Sequence, residues 1–177
     1  MQPWILLGLS LLGAPATRYS GPESGRDPCG FTCSGLVYYL LTQTDFLPEE
    51  VPVHTNELFD GFGVLVHEGL QRTGDLVFLS NSGSKPTHVG FYVGRQDLLS
   101  FLASHPTAAS VNHLLGSDVS LHFILESPGV SGLSVALCPL QSMPLARLSS
   151  EHPQLYLHNP IGYKRPAHLH GRYHRFS

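Results

Sequence analysis

Cys29-Gly-Phe-Thr-Cys33-Ser-Gly-Leu-Val-Tyr-Tyr-Leu-Leu41 decides how the chain is read, because a glycine-bearing loop runs there into a segment with helical periodicity. Leu36, Val37, Leu40 and Leu41 recur at helical spacing, which predicts a helix over 34–42 with one buried side. Cys33 falls at the junction of loop and helix. A helix N-terminus presents unpaired N–H groups and partial positive charge, so a cysteine there loses its proton more readily and becomes a better nucleophile. The competing reading is a buried structural cysteine, since free cysteine is among the most buried residue types. The rest of the chain has to separate the two.

Working outward, 177 residues with 42% hydrophobic and 13% charged content fit one globular domain with its own core. Ten Lys plus Arg against thirteen Asp plus Glu give a net charge of −3 with no basic run, which argues against nucleic acid or an anionic membrane as partner. The cysteines, Cys29, Cys33 and Cys138, are odd in number and do not describe a disulfide scaffold. At least one thiol stays free. A Cys29–Cys33 bridge would consume the proposed nucleophile and would be a redox off-state at most.

The start has two readings. Ile5-Leu-Leu-Gly-Leu-Ser-Leu-Leu12 followed by Ala14-Pro-Ala16 has the outline of a signal peptide and cleavage site, although no Lys or Arg precedes it. It also reads as a helix, with Pro3 in its first turn and Gly13 just past its end. The run is too short to span a bilayer.

Ala14 to Thr32 is a loop rich in Gly, Pro and Ser. After the Cys33 helix, Pro48 and Pro52 break the chain, and a short helix is expected within 55–66, interrupted by Gly61 and Gly63. Gly74-Asp-Leu-Val-Phe-Leu79 then changes the rhythm to β, with Asp75 fixing the turn before its strand. Thr87 to Val93 is a second strand, and a turn over 94–97 leads into an expected third strand over 98–104. Further strands are expected at 119–125 and 133–137. Helices followed by a mostly antiparallel sheet make an α+β domain.

A cysteine nucleophile needs a base to take its proton and later return it to a leaving group, and histidine does this best near neutral pH. Of eleven histidines, His88 stands out because it opens a strand whose ladder would hold its imidazole in a fixed direction. Gly90 on the same face is expected to leave room beside it for a substrate or for the Cys33 helix. The plain alternative is a histidine capping a strand end. His168, His170 and His174 lack a carboxylate or thiol partner at ligand spacing, so no metal is expected, and no cofactor is implied.

Leu12-Gly-Ala-Pro15 with Tyr19-Ser-Gly21, Phe31-Thr-Cys-Ser-Gly-Leu-Val37, Gly74-Asp-Leu-Val-Phe78 and His88-Val-Gly-Phe-Tyr-Val-Gly94 stand in an order and spacing that resemble the NlpC family of bacterial cell-wall cysteine peptidases, over roughly residues 5–112. The resemblance implies a papain-like fold with N-terminal helices packed on an antiparallel sheet. It makes the N-terminal apolar run the first helix, Cys33 the nucleophile and His88 the base, with Tyr19 and Ser34 contacting substrate. Three positions depart from the family pattern. Thr32 stands where an aspartate is usual, Ala16 and Thr17 where an aromatic follows the proline, and Leu102 where a polar residue orients the histidine. If the turn after Gly94 is even-numbered, His105 shares His88's face and becomes the candidate orienter; a one-residue change brings up Ser100 or Ser104 instead.

By that likeness the reaction is amide hydrolysis through a thioester, with the Cys33 N–H as an oxyanion donor and a peptidoglycan stem peptide as substrate. The expected locale is the cell envelope or outside the cell, and a monomer is expected. Two other readings stay open, an inactive module that binds cell-wall peptide or glycan, and an amidase or acyltransferase acting on another substrate. Residues 1–125 are read as the peptidase domain and 126–177 as a C-terminal extension that could complete it. Within the extension, Leu155 to Pro166 is a candidate terminal strand.

Overall fold

The computed structural model describes residues 1–17, 30–80, 83–105, 122–129, 132–140 and 159–168. Four helices, α1 (Pro3–Ser10), α2 (Cys33–Thr42), α3 (Thr55–Gly61) and α4 (Arg95–Ser104), accompany six strands. These are β1 (Val64–Val66), β2 (Leu76–Ser80), β3 (His88–Gly94), β4 (His122–Glu126), β5 (Ala136–Pro139) and β6 (Asn159–Arg165). The strands form one sheet in the order β1-β6-β2-β3-β4-β5, every neighbouring pair antiparallel.

The N-terminal apolar run is helical and buries Trp4, Ile5 and Leu9. Gly8 lets α1 lie close to α2, since a Cβ there would stand 2.9 Å from Leu40 Cδ1. The Trp4 indole donates to the Gly74 carbonyl at 3.2 Å, tying α1 to the turn before β2. Helix α2 begins where its capping residue dictates: the Thr32 hydroxyl accepts from the Gly35 N–H at 3.0 Å, satisfying one of the orphan donors of the first turn. Leu36, Val37, Leu40 and Leu41 are fully buried, and with Phe78, Val89, Phe91, Phe123 and Leu125 they form the core between helices and sheet.

All five residues of β2 are buried, so alternation here separates two covered faces rather than an inside from an outside. Leu76 and Phe78 join the helix-side core, whereas Val77 and Leu79 join Tyr92, Ile124, Cys138 and Tyr163 on the opposite side.

Several elements differ from expectation. Residues 98–104 belong to α4, not to a third strand: Leu98, Phe101 and Leu102 stand at i, i+3 and i+4, and Leu98 is fully buried with the other two packed partly against the core. The partner of β3 on that side is therefore β4. The helix expected within 55–66 stops at Gly61. Gly63, with φ of 73°, turns the chain into β1 against the Arg165 carbonyl, where a Cβ would lie 2.5 Å from the oxygen. Strand β5 begins later than the expected 133–137, and of 119–125 only 122–125 fall among the described residues.

Residues 159–165, within the expected C-terminal extension, enter the sheet. Strand β6 lies between β1 and β2, and position 125/126 falls inside β4. Asp75, 2% exposed, accepts from the Arg72 N–H at 2.8 Å. It also accepts from Arg165, through Nε at 2.8 Å and Nη2 at 2.9 Å, which fastens β6 to the turn before β2. His168 stacks on Phe46 at 4.4 Å with its Nδ1 3.0 Å from Glu50 Oε2, while His170 and His174 lie outside the described residues. Among the described residues no helix is long and apolar enough to cross a membrane.

Candidate active site

Four element ends meet at Cys33. It is the first residue of α2, His88 the first of β3, Glu126 the last of β4 and Thr55 the first of α3. The loop before α2 is pinned to the exit of β4, because the Phe31 carbonyl accepts from the Ser127 hydroxyl at 2.6 Å and from the Thr17 N–H at 2.9 Å. That tie fixes the strand end carrying Glu126 relative to the helix start carrying Cys33.

His88 and Glu126 are both buried, and the imidazole Nε2 engages Glu126 Oε2 directly. Nδ1 is then the nitrogen left for the hydrogen bond that His88 makes with Cys33. The Cys33 sulfur also lies 3.7 Å from Thr55 Oγ1 and interacts with the Val89 backbone.

Burial pushes the Cys33 thiol up, but the hydrogen bond and positive charge of His88, helped by Thr55 and the Val89 backbone, more than offset it and bring it from 9.0 to about 7. His88 is its counterpart. Burial pushes the imidazole down, and the Glu126 charge, together with hydrogen bonds to Cys33 and Glu126, lifts it from 6.5 to about 10. Between those two values the favoured state is thiolate and imidazolium. As the first helical residue, Cys33 also presents a backbone N–H that no intrahelical carbonyl accepts.

The structure brings Cys33 and His88 together and leaves His105 elsewhere. His105 is exposed at the end of α4, its ring stacked on Phe101 at 4.4 Å and its Nδ1 3.1 Å from the Phe101 carbonyl. It cannot orient His88 from there, and Glu126 occupies that position instead. The reason is topological, since α4 replaces the strand on which His105 was expected to pair. Ser100 and Ser104 are likewise on α4, bonded to its own carbonyls, and Leu102 packs partly into the core.

The space expected beside Gly90 is filled by β4. A Cβ there would stand 2.6 Å from Ile124 Cγ1 and 2.7 Å from the Leu125 carbonyl oxygen. Ser34 is buried in the first turn of α2. Tyr19 and Cys29 lie outside the described residues; Cys33 carries a free thiol.

Sequence reasoning missed Glu126 and Thr55. The first left a signal, a carboxylate closing the apolar run Phe123-Ile-Leu, a position where a charge is rare unless partnered. Thr55 left none. Among the described residues no group of three His, Cys, Asp or Glu side chains is arranged to hold a metal. A hollow of about 500 Å³ lined by Gln71, Arg72, Thr73, Tyr92 and Asp97 includes none of the four site residues.

A cysteine-headed helix packed on an antiparallel sheet that presents a histidine to it defines the papain-like class of folds. Residues 18–119, more than half of the chain, match the NlpC/P60 family, and the chain belongs to that family, whose members are typically cell-wall peptidases. The fold is similar to that of an NlpC/P60 family protein from Bacillus cereus, with TM-score 0.58 and 19% identity over 93% of this chain and 39% of that one. It is also similar to a protein of Staphylococcus aureus described as similar to lipoprotein, NLP/P60 family, with TM-score 0.51 and 18% identity over 94% of this chain and 41% of that one. This chain thus spans about two-fifths of the length of these two proteins. No curated protein matches it.

Proposed function

We propose that this protein is a cysteine endopeptidase or amidase that hydrolyses amide bonds in peptidoglycan stem peptides. The observation that carries the reading is the Cys33–His88–Glu126 chain, with His88 and Glu126 buried and Cys33 partly exposed, in which the thiol is brought down to about 7 and the imidazole held up at about 10. Cys33 is the nucleophile, His88 the acid and base, and Glu126 the group that aims the ring and stabilises its charge.

The thiolate attacks the substrate carbonyl, and the developing oxyanion is met by the Cys33 N–H. His88 gives its Nδ1 proton to the departing amine as the C–N bond breaks, leaving a thioester and a neutral imidazole. Water then attacks the thioester, passing a proton to His88. Release of the carboxylic acid restores the thiolate and imidazolium. The cell-wall substrate rests on family membership; in such a substrate the cut bond would adjoin a D-amino acid, commonly between D-glutamate and diaminopimelate. Tyr19 remains a groove residue on the family resemblance alone.

A binding-only role would be favoured if Thr32 or Leu102 had displaced a needed group. Thr32 supplies the helix cap and Leu102 lies on α4, so neither substitution removes a polar group from around His88. An acyltransferase would use the same thioester with an amine or alcohol in place of water. Incubating purified wild type and Cys33→Ala with peptidoglycan fragments and reading products by mass spectrometry tests all three. New hydrolytic fragments from wild type alone are expected; intact substrate with wild type sinks the reading, and acyl-transfer products redirect it.

A further inference from the structure

The hydroxyl of Thr55 is used differently from those of Thr42 and Thr44 at the end of α2. Thr42 and Thr44 turn their hydroxyls back on the carbonyls of Tyr38 and Leu40, each at 2.8 Å, which is the ordinary use of threonine in and just after a helix. Thr55 opens α3 without acting as its cap, a position held by His54, and its hydroxyl is turned on the Cys33 sulfur at 3.7 Å. His88 and Val89 reach the same sulfur from β3, so Sγ is held between two elements while being carried by a third.

We infer that Thr55 is a catalytic residue, a hydroxyl supplied by α3 that donates to the ionised Cys33 sulfur and holds it in place for attack. The inference rests on the reading of Cys33 as the nucleophile. When the cysteine is a neutral thiol, either group can donate; once Sγ is ionised it has no proton, and the hydrogen bond persists only with Thr55 as donor. Threonine therefore favours the thiolate over the thiol, and a side chain of equal shape without the hydroxyl does not.

The test is the pH dependence of iodoacetamide alkylation at Cys33, followed by peptide mass mapping so that the other cysteines do not contribute. It uses full-length wild type, Thr55→Val and Thr55→Ser. Wild type is expected to show a midpoint near 7. In Thr55→Val the midpoint should rise by about half to one pH unit, with alkylation below the midpoint slowed about three- to tenfold. Thr55→Ser should restore the wild-type profile. Thr55→Ala carries the same comparison should the valine variant fold poorly, with thermal unfolding of each variant recorded alongside.

An unchanged midpoint in a folded hydroxyl-free variant overturns the inference. So does an equal rise in Thr55→Ser, which would mark packing rather than the hydroxyl. Alkylation does not require a peptide substrate. A wild type that alkylates with a midpoint near 7 yet leaves peptidoglycan intact therefore defeats the peptidase reading without touching Thr55.

Discussion

Glu126 turns the histidine from a ring that is merely aimed into one whose charge is held. A neutral orienter would fix direction only; a buried carboxylate also favours imidazolium. For activity the sign is clear: the thiolate forms as pH rises through about 7, and the imidazolium is lost as pH rises through about 10. The rate profile should therefore be a broad bell between those values. Glu126→Gln keeps the shape of the side chain and removes its charge, so the alkaline limb should move down in pH, measured as kcat/KM for hydrolysis; an alkaline limb left near 10 would refute the role. Cys33 and His88 were legible in the sequence because each sits in a local motif at an element boundary. Glu126 was not, because it is 38 residues from His88 and the two meet only through strand pairing.

Among the elements, α2 owes its start to Thr32, which does with a hydroxyl what the usual aspartate does with a carboxylate. Thr32→Ala should cost about 1 kcal/mol of stability, and Thr32→Asp should retain it, as read from urea unfolding midpoints. Between β3 and β4 the close approach is set by Gly90, and Gly90→Ala should lower the unfolding temperature while leaving the Cys33 helix intact, since its Cβ would meet Ile124 and the β4 backbone. The helices α1 and α2 and the strands β2 and β3 were readable because their apolar spacing agrees with their flanking glycines and prolines. Residues 98–104 were not, since Leu-Leu-Ser-Phe-Leu satisfies both periods over so short a run. Reading them as a strand is what put His105 in place of Glu126.

At the scale of the molecule, the Asp75–Arg165 pair joins residues 90 apart. Asp75 is buried and the Arg165 side chain is 41% exposed, so the pair contributes mostly by satisfying the carboxylate rather than by net attraction. Arg165→Ala should destabilise by roughly 1–3 kcal/mol in chemical denaturation, with the Arg72 N–H still serving Asp75. Because β6 separates β1 from β2, a chain ending before residue 159 lacks the only sheet partner of β1 among the described strands.

That placement of β6 also sets an order of events in time. Synthesis delivers Cys33, His88 and Glu126 before the strand that fills the gap between β1 and β2, so the sheet cannot close until residues 159–165 have been made. Long-range pairing of this kind slows folding. Of the described strands, the last one made is an inner strand of the finished sheet, so β1 gains its sheet partner only after the residues around the thiol are already in place along the chain.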